Sequence, residues 1–126
     1  MYSFKALVVD DSSTVRKVIG RILSELGFII TEAENGKVAL EKTMHDLPDI
    51  IMLDWNMPIM NGMEFFKEFK ASNPDCKTKV IFCTTENELD KIMEAVEEGA
   101  DEYIMKPFNK EILQDKLVQV GLLSQE

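Results

Sequence analysis

Four short apolar runs in this chain each end directly before polar side chains. The runs are residues 6–9, 50–53, 80–83 and 103–105, and the residues that follow them are Asp10 and Asp11, Asp54, Thr84 and Thr85, and Lys106 and Pro107. Continuous apolar runs of this length are typical of strands buried on both faces, as in parallel sheets. The strands of a parallel sheet end along one edge, which is the usual ligand site of α/β proteins. The sequence therefore predicts one site that combines three carboxylates with hydroxyl groups and an ammonium group.

The segments between the runs have the apolar spacing of helices. In the first, Ser12 or Ser13 can cap the start and Gly27 can end the helix. Its apolar stripe is Val15, Val18, Ile19, Ile22, Leu23 and Leu26. A second strand is expected at 28–31, and further helices at about 36–45, from Asn61 to before Pro74, from Asn87 to Gly99, and from Asn109 to about Leu122. Inward candidates are Met63, Phe65, Phe66 and Phe69 in the third helix and Leu89, Ile92, Met93 and Val96 in the fourth. This (βα)5 order predicts an α/β fold, a doubly wound five-stranded parallel sheet with helices on both faces.

The composition indicates one globular domain that spans residues 1–126. Hydrophobic residues make up 45% of the chain and charged residues 29%. With 23 acidic residues against 14 basic ones the net charge is −9, which argues against a nucleic-acid surface. No apolar run approaches the roughly 20 residues of a membrane span, and no signal peptide opens the chain. Cys76 and Cys83 do not form a metal or redox motif. We therefore expect a cytoplasmic protein with no nucleic-acid or membrane partner.

The three aspartates indicate a particular chemistry. Like charges within a few ångströms repel, so Asp10, Asp11 and Asp54 are costly at one edge unless a cation lies among them. Oxygen ligands with no Cys or His nearby favour Mg²⁺. A carboxylate beside such a metal can act as a nucleophile and become an aspartyl-phosphate. Lys106 and the metal would then neutralise the phosphoryl oxygens, and the Thr84 hydroxyl would donate a hydrogen bond to one of them.

The same residues resemble a known family. The motifs are Val-Val-Asp-Asp at 8–11, Asp-Trp-Asn-Met-Pro at 54–58, Asn-Gly at 61–62, Thr-Thr-Glu at 84–86 and Lys-Pro-Phe at 106–108. Together, each at its own strand end, they resemble the receiver domains of bacterial two-component response regulators, over residues 4–122. The likeness is greatest to stand-alone chemotaxis regulators of the CheY type, through residues 54–58, 25–28, 13–14 and 99–103. The resemblance implies a flavodoxin-like fold with strand order 2-1-3-4-5.

The resemblance also implies roles at the acidic edge. Asp54 would be the phosphoacceptor, Asp11 the main acidic ligand of Mg²⁺, and Asp10 a second, water-bridged ligand. Asp54 and the backbone carbonyl of Asn56 would complete the metal ligands from the protein. Asn56 and Glu86 would tune how fast water attacks the aspartyl-phosphate. The chain would thus be a phosphoacceptor protein that assists its own phosphorylation and dephosphorylation, and not an enzyme with a separate substrate.

A conformational switch is implied by the same likeness. Thr84 would move toward the phosphoryl oxygens, Tyr103 would fill the space it leaves, and Thr85 is small enough to keep the site open. The family typically has a cis bond at the position of Lys106–Pro107, which the sequence cannot show. The partner face would lie on the fourth helix, fifth strand and fifth helix. Its candidate residues are Leu89, Ile92, Tyr103 and Lys116.

The implied partners are a histidine kinase that donates phosphate, as the chemotaxis kinase CheA does, and a flagellar switch protein or another output protein. A phosphatase is a further candidate partner, and a monomer is expected. The alternative within the family is a stand-alone phosphorelay or cell-cycle receiver that passes phosphate to a histidine phosphotransfer protein. The likeness favours the chemotaxis output, and a phosphorelay member would need a second, histidine-containing partner that no residue of this chain reveals.

Two other classes of protein fit the sequence less well than a receiver domain does. Phosphohydrolases of the haloacid-dehalogenase type place a second Asp two residues after their nucleophile, where this chain has Asn56, which cannot transfer the proton. A transcription factor cut before its DNA-binding domain would continue past Leu122, whereas residues 122–126 have no linker-like composition. Both observations favour a receiver domain without an output domain.

Overall fold

The sequence folds into five βα units in the computed structural model, which describes residues 3–85 and 88–123. The strands are β1 (Lys5–Val9), β2 (Ile29–Ala33), β3 (Ile50–Asp54), β4 (Lys79–Thr84) and β5 (Glu102–Met105). The helices are α1 (Ser13–Glu25), α2 (Gly36–His45), α3 (Gly62–Ser72), α4 (Leu89–Glu97) and α5 (Lys110–Gln119). In these residues no helix is long and apolar enough to cross a membrane.

All five strands are parallel, in the order β2-β1-β3-β4-β5. The predicted doubly wound, flavodoxin-like fold is therefore confirmed. Val9 of β1 pairs with Leu53 of β3, and Asp54 pairs with Cys83 of β4. Because these neighbouring strands end within about one residue of each other, their polar continuations lie side by side. The register thus brings the predicted site residues to one edge.

Two apolar layers cover the sheet, one on each face. Leu7 and Val9 of β1 face one layer, which contains the three phenylalanines of α3. Ala6 and Val8 face the other, which contains Ile19 of α1 and Leu117 of α5. Alternate strand residues point to opposite faces, and with helices on both sides each face is apolar. This arrangement explains why the strands read as continuous apolar runs.

The predicted helix starts are confirmed where the structure describes them. Ser12 caps α1 by accepting a hydrogen bond from the Val15 N–H, and Asn61 forms a capping box with Glu64 at the start of α3. A Cβ on Gly62 would lie 2.3 Å from the carbonyl oxygen of Asp54, so only glycine lets α3 begin this close to the end of β3. The Asn-Gly motif therefore fixes the loop beside Asp54.

Several boundaries and inward positions differ from the predictions. The β2 strand runs to Ala33 instead of Thr31, and α5 ends at Gln119 instead of Leu122. Asn87, the predicted start of the fourth helix, lies outside the described residues. Val18, Met93 and Val96 belong to predicted apolar stripes but are 54%, 60% and 42% exposed. Each stripe is wider than the strip of helix that the sheet covers, so residues at its border remain in solvent.

Candidate phosphoryl and metal site

Three carboxylates meet at the carboxyl-terminal edge of the sheet. Asp10 and Asp11 follow β1, and Asp54 ends β3. One carboxylate oxygen from each lies within 4.8 Å of the others. Asp10 and Asp54 are buried, and Asp11 is exposed. This set of hard oxygen donors, without Cys or His, fits a cation such as Mg²⁺, which takes a few carboxylates and keeps several waters.

The two buried carboxylates are held rigidly. Asp10 accepts hydrogen bonds from the backbone N–H of Ser12 at 2.9 Å and from the ammonium of Lys106 at 3.1 Å. Oδ1 of Asp54 accepts from the Trp55 N–H at 2.9 Å and from Lys106 at 3.0 Å. Oδ2 of Asp54 accepts no hydrogen bond from any described residue, and the side chain is 12% exposed, so this oxygen is not fully sealed from solvent. The predicted phosphoacceptor thus has one anchored oxygen and one oxygen without a hydrogen bond from the described residues.

Lys106 is the cation that balances these charges within the protein. It precedes Pro107 across a cis peptide bond, and its backbone N–H donates to the Thr84 carbonyl at 2.7 Å. Burial alone would lower the pKa of Lys106, but its hydrogen bond to Asp54 and the charges of Asp54 and Asp10 outweigh burial and raise the pKa to about 12. Three carboxylates and one ammonium leave a formal charge of −2, which a divalent cation would neutralise.

The pKa of Asp54 shows that this balance is incomplete. Burial is the largest influence and raises the pKa above 3.8, and the charge of Asp10 adds to it. The contacts with Lys106 and with the Trp55 N–H oppose the rise without cancelling it. Ionisation of Asp54 in the metal-free protein is therefore less favourable than that of an ordinary exposed aspartate. A cation at this edge would favour the ionised form and thus keep the carboxylate ready to react.

Thr84 and Thr85 stand at the end of β4, as predicted, but their hydroxyls contact a residue that the sequence analysis missed. Thr84 is completely buried, and its hydroxyl lies 3.2 Å from the Thr85 carbonyl and 3.4 Å from Oε1 of Glu88. The Thr85 N–H and hydroxyl lie 3.3 Å from the same oxygen. The Asn56 side-chain amide donates to Oε2 of Glu88. The only sequence signal for a role of Glu88 is its position just after a strand end that bears site residues. Glu86, the predicted tuning residue, lies outside the described residues.

The residues of the predicted partner face lie in different environments. Tyr103 is half-buried on β5, with the ammonium of Lys116 4.9 Å from its ring centroid and 3.3 Å from the Glu102 carboxylate. Ile92 is 0% exposed, so its prediction as a contact residue was wrong. It occupies the middle of the inner face of α4 and packs in the core. The side chain of Leu89 lies outside the described residues.

The chain is similar in sequence and in fold to known proteins. Residues 6–118 match the family model described as the response regulator receiver domain. The chain is 41% identical over 115 residues to chemotaxis protein CheY1 of Helicobacter pylori strain J99, which covers 90% of this chain and 93% of that protein. Identity to chemotaxis protein CheY of Pseudomonas aeruginosa is 36% over 117 residues, covering 92% and 94%. The structure of the chemotaxis response regulator CheY4 of Vibrio cholerae superposes with a TM-score of 0.84 at 34% identity, covering 94% and 99%. This chain therefore belongs to the family of response regulator receiver domains.

Proposed function

We propose that this chain is a phosphorylation-activated signalling protein of a two-component system that accepts a phosphoryl group from a histidine kinase on Asp54. The observation that carries the proposal is the position of this side chain. Its Oδ1 is fixed by Trp55 and Lys106, whereas its Oδ2 accepts no hydrogen bond from the described residues and is not fully sealed from solvent. A carboxylate that is anchored through one oxygen presents the other for attack on phosphorus.

The proposed reaction transfers a phosphoryl group from a phosphohistidine. Oδ2 of Asp54 attacks the phosphorus, an O–P bond forms, and the N–P bond breaks with its electron pair going to the imidazole, which then takes up a proton. The Lys106 ammonium, 3.0 Å from the other Asp54 oxygen, is close enough to offset negative charge on the phosphoryl oxygens. The Thr84 hydroxyl supplies a hydrogen bond to a phosphoryl oxygen. Loss of the phosphoryl group by hydrolysis completes the cycle, with Asn56 and Glu86 as the proposed tuning residues.

Mg²⁺ is the proposed cofactor, held by Asp10, Asp11, Asp54 and the backbone carbonyl of Asn56. When bound, it would supply positive charge to the phosphoryl oxygens. The support for this assignment is the cluster of three carboxylates within 4.8 Å and the formal charge of −2 at the edge. Asp11 is the exposed member, and no described residue donates a hydrogen bond to its carboxylate, so it can approach an ion without breaking an internal contact.

Mg²⁺ is expected to stabilise the fold, and Asp11→Asn should remove most of this effect. A ligand that binds only the native state adds RT ln(1 + [L]/Kd), about 2.7 kcal/mol at a hundredfold excess over Kd. Urea unfolding with and without Mg²⁺ measures the difference for each protein. Asp75→Asn, at an exposed position in the loop after α3, is the matched control and should respond as the wild type does. Equal midpoints with and without Mg²⁺ in the wild type would contradict the metal site.

The output is proposed to be control of the flagellar motor. The support is the likeness to chemotaxis proteins over nearly their whole length, which also makes a phosphorelay shuttle the less favoured alternative. A CheA-like histidine kinase and a flagellar switch protein are the proposed partners, with a phosphatase as a further candidate. A cytoplasmic monomer of a single domain, without a nucleic-acid or membrane partner, completes the proposal. The partner face is proposed to include Tyr103, Lys116 and Leu89.

The test is the affinity for a flagellar-switch peptide with and without beryllofluoride, a phosphoryl mimic. A ligand shifts a two-state equilibrium only if it binds one state more tightly, so the mimic should strengthen peptide binding in the wild type. We expect a coupling of about 1–3 kcal/mol. Thr84→Ala should lose most of this coupling and still accept phosphate, because it removes the hydroxyl of the proposed Thr84–Tyr103 switch. Lys116→Glu should lower the affinity for the peptide both with and without beryllofluoride. Equal wild-type affinity in both states would contradict the chemotaxis output and favour the phosphorelay.

A further inference from the structure

The carboxylate of Glu88 reaches back from the start of α4 over the end of β4. Its Oε1 lies within 3.4 Å of the Thr84 hydroxyl and 3.3 Å of both the N–H and the hydroxyl of Thr85. Its Oε2 accepts a hydrogen bond from the Asn56 amide. A single side chain thus bridges the loops that follow β3 and β4. Both loops border the phosphoacceptor site.

These contacts occupy groups that phosphorylation requires. A threonine hydroxyl has one proton and donates to one acceptor at a time. If the Thr84 hydroxyl donates to Glu88 or to the Thr85 carbonyl, it cannot donate to a phosphoryl oxygen. The Asn56 amide is likewise engaged by Glu88. A phosphoryl group on Asp54 would also repel the Glu88 carboxylate, because both are negatively charged.

The backbone of Glu88 links this contact to α4. Glu88 is the N-cap residue of α4, and its N–H donates to the Thr85 carbonyl at 3.0 Å. Its side chain makes no capping hydrogen bond, in contrast to the N-cap side chains of α1, α2, α3 and α5. The side chain is therefore committed to the site instead of the helix. Release of the carboxylate would loosen the start of the helix that carries the exposed Met93.

We propose that Glu88 is a positioning residue that holds the unphosphorylated site closed by binding Thr84, Thr85 and Asn56, and that a phosphoryl group on Asp54 displaces it. This inference rests on the proposed function, because it assumes that the phosphoryl group arrives at Asp54. The Glu88 carboxylate and the phosphoryl oxygens then compete for the hydrogen bond that the Thr84 hydroxyl can donate. Displacement of Glu88 then passes the change to the start of α4.

Binding of beryllofluoride, measured by calorimetry in saturating Mg²⁺, tests the competition. Glu88→Ala removes the contacts, and Glu88→Asp keeps the charge on a side chain one carbon shorter that cannot bridge both loops. Each should lower the Kd for beryllofluoride by roughly tenfold, the effect of about one lost hydrogen bond to a charged group. Glu94→Ala removes the same charge from an exposed position on α4 and should leave the Kd unchanged.

The outcomes separate the contact from the charge and from the function. If Glu88→Asp binds beryllofluoride as the wild type does, the bridging contact does not compete with the phosphoryl group, and the inference is overturned. If Glu88→Ala binds equally or more weakly, it is overturned as well. If the wild type fails to bind beryllofluoride, the proposed function fails first. A second measurement needs no phosphoryl mimic: NMR hydrogen exchange of the Asn56 side-chain amide should be faster in Glu88→Asp than in Glu94→Ala, and equal rates would contradict the contact.

Discussion

Replacing Asp54 with asparagine is expected to abolish phosphate uptake and to leave the metal-free protein at least as stable as the wild type. The variant loses the nucleophilic oxygen, and loss of a nucleophile typically costs several orders of magnitude in rate. Label from a histidine kinase or from a small acyl phosphate should therefore fall at least about a hundredfold. The amide keeps the shape of the carboxylate and removes one of three neighbouring negative charges.

The stability difference should depend on pH, with a sign set by Asp54. Because burial raises the pKa of Asp54 above 3.8, the folded protein holds its proton more tightly than the unfolded chain does. The contribution of Asp54 to wild-type stability is therefore complete below pH 3.8 and is lost as the pH rises through the pKa of Asp54 in the folded protein. The asparagine variant has no such loss. The stability advantage of the variant over the wild type should be absent below pH 3.8 and should grow toward neutral pH. Urea unfolding without metal measures it.

A matched control removes an aspartate elsewhere. Asp115→Asn, at an exposed position on α5, makes the same chemical change outside the acidic cluster and should keep both the label and the pH dependence of the wild type. Label retained by Asp54→Asn would place the acceptor at another residue. A variant that is less stable than the wild type at neutral pH would mean that the Lys106 contact outweighs the cost of burying the Asp54 charge.

The sequence predicted which side chains meet at the edge of the sheet, because each of them directly follows or ends a strand. Asp54 and Lys106 are distant in the chain, yet parallel pairing of neighbouring strands leaves little freedom in where their ends lie. A continuous apolar run marks a strand buried on both faces, and the first polar residue after it marks the edge. The acidic cluster and the Asp54–Lys106 contact follow from this geometry, with a distance of 3.0 Å that no pattern could supply.

The sequence was less informative where side-chain direction decides the outcome. Ile92 and Met93 are adjacent apolar residues of α4, but the first is completely buried and the second is 60% exposed. Helical spacing allowed both to face inward, and only the packing of α4 on β4 and β5 separates them. Glu88 was missed for a related reason. A glutamate at a helix start is favourable there in any protein, so nothing in the pattern indicated that its carboxylate turns back to Thr84.

Replacing Lys106 with methionine is expected to lower the stability of the metal-free protein strongly. The ammonium is the cation that contacts both Asp10 and Asp54, at 3.1 Å and 3.0 Å. Its removal leaves two buried carboxylates without an ionic partner among the described residues, and breaking a buried pair in this way typically costs about 3–5 kcal/mol. Because the Lys106 side chain is 23% exposed, we expect a loss near the lower end, roughly 3 kcal/mol at pH 7. Urea unfolding measures it.

The pH dependence and a metal rescue make this expectation specific to the site. The pKa of Lys106 is raised from 10.5 to about 12, so its contribution to stability is complete below 10.5 and is lost as the pH rises through 12. At the acid end the contribution should fade as Asp54, whose pKa is raised by burial, takes up its proton. Mg²⁺ should restore part of the lost stability, because it supplies positive charge to the same carboxylates.

Lys110→Met breaks the exposed pair with Glu25 and should cost at most about 1 kcal/mol, without a response to Mg²⁺. If Lys106→Met and Lys110→Met unfold at the same urea concentration, the acidic edge tolerates its own repulsion, and the role of Lys106 in balancing it would have to be abandoned.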